Sequence, residues 1–207
     1  MRPTPAEWAP YVKRIEVFGV PVIATAEVPE AKLLHVAVTL AEYLDNDEDA
    51  RADDPRVLAA LHEASAFLFM ARSWRRVPDP PRVLMDGFPQ YQGADETFPP
   101  GDPPPPEEID VTLEEVWHLA SLGWALAYPD AFGFDESPAS RLTRAMDTAR
   151  GGHFPELPRA YPEEAWYHYD DRTCDYGCMA AEYWGRPLRP GAHGGGRLYP
   201  ERSLLLP

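Results

Sequence analysis

The sequence predicts a single α+β domain over residues 1–207, a small mixed sheet carrying several helices. Three observations point to it. A β-branched run, "RIEVFGVPVIATAEV", lies near the start, and a short uninterrupted apolar run, "SAFLFMA", reads as a buried strand. Between and after them come segments whose apolar residues recur at helical spacing. At 207 residues with 44% apolar content, the chain is long enough to bury a real core.

In order, Gly19 and Pro21 break the first run, which predicts two short strands or one bent strand. "AKLLHVAVTLAEYLDND" follows, with Leu33, Ala37, Leu40 and Leu44 on one helical stripe. A second helix starts at Asp54-Pro55, a capping side chain followed by proline at the first helical position, and carries Leu58 and Leu61. "SAFLFMA" could extend that helix as well as form a strand. From Val77 to Pro106 turns dominate, and residues 99–106 form a proline-rich surface loop of extended geometry. A helix begins in "TLEEVWHLASLGW"; then come the turn-rich "YPDAFGFDESP", a helix through "ASRLTRAMDTAR", an irregular stretch, and a last helix near "CDYGCMAAEYW". Residues 185–207 read as an irregular C-terminal tail.

Lys and Arg total 19 against 34 Asp and Glu, a formal charge of -15. No basic face is available to neutralise a phosphate backbone or an anionic membrane, so nucleic acid and membrane are not expected partners. The field favours cations. No segment holds the roughly 18 uninterrupted apolar residues of a membrane span, and "MRPTPAEWAPYVKR" lacks the apolar run of a signal peptide. The expectation is therefore a cytoplasmic protein, with a secreted one whose leader has been removed as the alternative. Only Cys174 and Cys178 are present, too few for a disulfide framework or a four-cysteine zinc site. They either pair across one helical turn or remain two buried thiols.

Two places gather candidate metal ligands. "DNDEDARADD" puts Asp45, Asp47, Asp49 and Asp53 at positions 1, 3, 5 and 9 of a tight loop, the pattern that wraps oxygens around calcium. Ala50 stands where such loops need glycine, and Arg56 where a bidentate glutamate would sit. A solvated acidic turn with Asp54 as helix cap is the alternative.

In "TLEEVWH", Thr112 and Glu115 have the spacing of a capping box. That leaves Glu114 and His118, four apart and so about 5–6 Å from each other on one helix face. "EEVWH" has the form of the zinc-peptidase motif HExxH with the first histidine replaced by glutamate, a zincin-like arrangement. Glu114 and His118 would then be ligands, and Glu115 the general base acting on a water activated by the metal. Gly123 stands where such a helix needs close backbone approach. The third ligand expected is Glu182 in "CMAAEYW", because a glutamate among apolar residues needs a partner such as a metal or Arg150. Tyr167 and Tyr169 are candidate donors to a developing oxyanion, with core packing as the alternative. His35 and His62 read as packing or surface positions; His153 and His168 lie in irregular segments with Asp170 and Asp171 nearby, and His193 lies in the glycine-rich tail.

"LLHVAVTLAEYLDNDEDA", "TLEEVWHLASLGWALAYPDAFG", "AMDTARGGHF" and "YPEEAWYHYDDRTCDYGCMAAEYW" resemble a group of bacterial and fungal proteins, many of them secreted. The likeness runs from about Phe18 to Trp184. It implies no activity and no catalytic residues; this chain differs from the group at Ala50, where the group usually has glycine, and in its proline- and glycine-rich ending, and the absence of a leader is a further expected difference.

The expected function is metal-dependent hydrolysis of an amide or peptide-like bond in a small-molecule or peptide substrate. Zinc is the favoured ion. With two carboxylates and one nitrogen the ligand set is harder than usual for zinc, which keeps manganese or iron, and a tailoring enzyme of a biosynthetic pathway, as alternatives. A third reading is a non-enzymatic, calcium-stabilised binding module using "AWYHYDD".

Overall fold

The computed structural model describes residues 6–106 and 108–185, and the fold is α+β: six α-helices and a four-stranded mixed sheet. The chain divides into two compact units, Met1–Gly123 and Trp124–Pro207.

The first unit holds the sheet, in the order β1-β2-β3-β4. β1 (Tyr11–Val17) and β2 (Val20–Thr25) are antiparallel, so the broken run is two strands and not one bent strand. Phe18 and Gly19 join them, at φ 49° and 87°. Of the two-residue turns whose twist matches the strands, type I′ has positive φ at both central residues, as here. His62 steadies the turn, its Nε2 lying 2.9 Å from the Phe18 carbonyl. The chain then crosses through α1 (Glu30–Leu44) and α2 (Pro55–Glu63) and returns as β3 (Phe67–Ala71), parallel to β2. Such a return needs a long crossover. All four stripe residues of α1 are buried, and the helix packs on β1 and β2. Asp54 caps α2 by accepting from the Arg56 N–H at 2.9 Å. Every residue of β3 is buried, which is why its sequence is an unbroken apolar run and not an alternating one.

The stretch expected to be turns from Val77 to Pro106 contains a strand, β4 (Pro89–Gly93), parallel to β3. Its buried positions include Gln90 and Gln92, which conceal the strand from any search for apolar alternation. The Gln92 side-chain N–H donates to the Thr97 hydroxyl at 2.9 Å. Residues 101–106 are exposed turn and coil. α3 (Thr112–Ala127) begins in this unit, and its last turn, from Trp124, belongs to the second.

The second unit contains α4 (Pro129–Phe132), α5 (Arg141–Ala149) and α6 (Tyr176–Gly185). The short α4 lies in the segment expected to be turns alone; Pro129 sits in its first turn, where a missing N–H is no loss. Ser140 caps α5 by accepting from the Thr143 N–H at 3.0 Å. The core here is Met146, Ala149, Tyr167, Tyr169, Tyr176, Met179 and Ala180, together with Cys174 and Cys178, which form a disulfide. The irregular segment between α5 and α6 is pinned by the Trp166 and Tyr167 N–H groups donating to the Ala149 carbonyl at 2.9 and 3.1 Å. Apart from Gly185, which closes α6, the expected tail at 185–207 lies outside the described residues, as does His193. Among the described residues no helix is long and apolar enough to cross a membrane.

Candidate metal centre

The start of α3 is set by Asp110. Its Oδ1 accepts from the Thr112 N–H at 3.1 Å and the Thr112 hydroxyl at 2.6 Å, and its Oδ2 faces His35 Nε2 of α1 at 2.9 Å. The expected capping box therefore gives way to an aspartate two residues earlier, with Thr112 donating its hydroxyl proton to it. Tyr43, near the end of α1, donates to the Leu113 carbonyl at 3.0 Å, and its ring meets Trp117 edge-on at 5.3 Å. Burial, with Glu42 nearby, pushes its hydroxyl up to about 12. Gly123 lies against α2: a Cβ there would meet Val57 Cγ1 at 2.8 Å and Leu61 Cγ at 2.9 Å, so the close approach expected at this position is real. These ties fix both the rotation and the seat of the helix.

With that rotation Glu114 and His118 point the same way and are both buried, 7% and 6% exposed. Glu114 Oε1 lies 4.0 Å from His118 Nε2. That is beyond hydrogen-bond reach. It is within the roughly 4.4 Å that two bonds of about 2.0–2.2 Å to a shared ion can span. Burying a carboxylate is costly unless something compensates its charge, so an acid and an imidazole brought together inside the protein are a plain candidate for cation binding.

Glu115, one residue on, is partly exposed, and its Oε2 accepts from the Gln90 side-chain amide of β4 at 2.8 Å. Gln90 is 2% exposed. Sequence reasoning missed this residue altogether; a Gln-Tyr-Gln alternation between Pro89 and Gly93 was the available signal.

In the second unit Glu182 lies on α6 and is 6% exposed among Cys178, Met179, Ala180 and Ala181. Arg150, its expected alternative partner, is directed elsewhere: Nη2 donates to Asp147 Oδ1 at 2.7 Å and Nη1 to Met179 Sδ at 3.3 Å. Tyr167 and Tyr169 are each 3% exposed within the core of this unit, and Tyr167 meets Tyr183 edge-on at 5.0 Å. In "AWYHYDD" the aromatic residue facing solvent is Trp166, 72% exposed, while His168 stacks on Tyr161 at 4.7 Å. His153 is held by Asp147 and Glu136, not by Asp170 or Asp171.

In the acidic loop, Asp45, Asp47 and Asp49 come together as a group of a kind able to hold a metal ion. Their carboxylates also serve the loop's own backbone. Asp45 accepts from the Asp49 and Ala50 N–H groups at 3.1 and 2.9 Å, Asp49 from Arg51 at 2.9 Å, and Asp53 from Asn46 at 2.9 Å. Ala50 adopts φ 67°, the left-handed conformation for which glycine was the expected residue. Asp47 stands above its ordinary pKa: the Asp49 N–H pulls it down, but the charges of Asp49 and Asp53, with some desolvation, outweigh that pull.

Compared with known proteins, the chain matches no family model, no curated protein and no solved structure.

Proposed function

We propose that Glu114, His118 and Glu182 bind one divalent metal ion, and that the protein is a metal-dependent hydrolase of an amide or peptide-like bond. The observation that carries the reading is the buried Glu114–His118 pair at 4.0 Å. Glu182 enters the set on ligand type and burial, a carboxylate 6% exposed on α6 that needs a compensating charge. Two carboxylates and an imidazole suit zinc, and their hardness keeps manganese and iron, with the tailoring chemistry these would allow, as the second choice.

In this reading the ion supplies Lewis acidity toward a carbonyl oxygen and toward water. Glu115 takes the proton of the attacking water. Gln90 holds that carboxylate by donating to its Oε2. Tyr167 and Tyr169 remain candidates to donate to the oxyanion. The Cys174–Cys178 disulfide favours work in an oxidising compartment, hence the secreted alternative over the cytoplasmic one. Calcium at Asp45, Asp47, Asp49 and Asp53 is a separate structural proposal, supported by the first three coming together.

Elemental analysis of the purified protein tests the metal centre. About one transition-metal ion per chain is expected, lost in Glu114→Ala, in His118→Ala and in Glu182→Ala. Full metal content in any one of these variants overturns the assignment of that residue, and full content in all three overturns the site.

A further inference from the structure

His153 has a carboxylate on each ring nitrogen. Nδ1 lies 2.7 Å from Asp147 Oδ2, and Nε2 lies 3.0 Å from Glu136 Oε1. A neutral imidazole has one N–H and one lone pair, so it can donate to one carboxylate only and must turn its lone pair on the other. The imidazolium donates to both. The remaining groups around the ring agree with a charged state. Asp147, on α5, also accepts from Arg150 Nη2 through Oδ1 and from the Tyr176 hydroxyl through Oδ2, at 2.7 and 3.0 Å. The Tyr176 ring, on α6, lies 5.3 Å from the imidazole. Two acids, Asp147 and Glu136, thus face two bases, Arg150 and His153, and the four balance only while His153 keeps its proton.

The three contacts belong to different elements. Asp147 is on α5, and Glu136 is in the 133–140 segment between α4 and α5. That segment also delivers Phe134 to the core of the second unit, where its ring meets Trp184 edge-on at 6.3 Å. We propose that His153 is the working part of a pH-operated clasp. As imidazolium it ties the 133–140 segment, through Glu136, to the C-terminal end of α5; on losing its proton it lets that segment go. No group of the proposed metal centre takes part.

The direction of the switch follows from the pairing. The hydrogen bond to Asp147, then that to Glu136, raise His153 above its ordinary 6.5, against a smaller opposing effect of desolvation. A histidine whose folded pKa is raised contributes stability that is fully present below its unfolded value and is lost as pH rises through the folded value. The clasp is therefore closed on the acid side and opens toward alkaline pH. Both His153 and Glu136 are about half exposed, so salt weakens the tie.

Nitrogen-15 NMR of the histidine rings together with amide hydrogen exchange tests the clasp on the intact chain. The expected results are a His153 ring that donates from both nitrogens on the acid side of its titration, and a midpoint above 6.5 that moves down in Glu136→Gln. After correction for intrinsic exchange, protection at residues 134–140, Pro138 aside, falls as pH rises through that titration. In His153→Gln it is low at every pH. A His153 that titrates at or below 6.5, or protection that follows pH alike in wild type and His153→Gln, overturns the proposal.

Discussion

The Asp45–Asp54 loop and the first turns of α3 both gather acidic side chains, and they handle the charge in opposite ways. In the loop Asp47, Asp49 and Asp53 reach solvent, and Asp45, which is buried, accepts from two N–H groups of its own turn. Water and backbone donors explain why those charges persist there. Glu114 and His118 are buried together, Glu114 in the first turn of α3 and His118 one turn further on. An acid kept in that position needs a compensating charge, and its partner in the pair is a residue type that ligates metals. The contrast teaches that the number of carboxylates is a poor guide to function, and that burial decides which cluster carries a cost needing an explanation.

The largest expected effect separates the two clusters directly. Glu114→Ala or His118→Ala should abolish binding of the transition metal, while Asp47→Asn should leave it unchanged; equilibrium dialysis of the three variants with zinc reads the difference. Loss in Asp47→Asn with full binding in both α3 variants would show that the loop, not α3, is the transition-metal site. Next comes Gln90, whose amide holds Glu115. Outer partners of a metal site are worth roughly 10–100-fold in affinity or activity. Gln90→Ala should cost activity in that range with metal content retained, once a substrate is in hand, and an unchanged rate would leave Gln90 a purely structural tie. Gly123→Ala should destabilise the protein by about 1–2 kcal/mol, because α2 must shift away from the new methyl and helix propensity recovers only part of the loss. Chemical denaturation measures it. The smallest effect is in the loop: Ala50→Gly should stabilise by up to about 1 kcal/mol, since glycine relieves the left-handed strain but adds freedom to the unfolded chain. A calcium-dependent rise in melting temperature that grows in Ala50→Gly would strengthen the structural calcium proposal, and the absence of any calcium effect in either protein would end it.

Much of the fold was legible because it rests on rules that act locally. The apolar stripe of α1 and the Asp54 cap before Pro55 each announce themselves within a few residues, while the fully apolar β3 announces its burial but leaves strand and helix open. β4 did not, because two of its buried positions are glutamines whose side-chain N–H groups find partners at Glu115 and Thr97, and such partners become neighbours only through the fold. The same reason hid Gln90 beside the proposed base, and the pairing of His153 with Asp147 and Glu136. The 114–118 spacing was readable since a helix alone brings those side chains together. The role of Asp110 was not, because a capping box fitted the same letters and only the backbone showed which residue leads the helix.

X-ray absorption at the zinc edge of the zinc-loaded protein tests the central claim most directly. The account predicts a first shell of carboxylate oxygens with one imidazole nitrogen, and in His118→Ala the loss of bound zinc and of that shell with it. A shell made only of oxygen, or one that His118→Ala leaves unaltered, would contradict it.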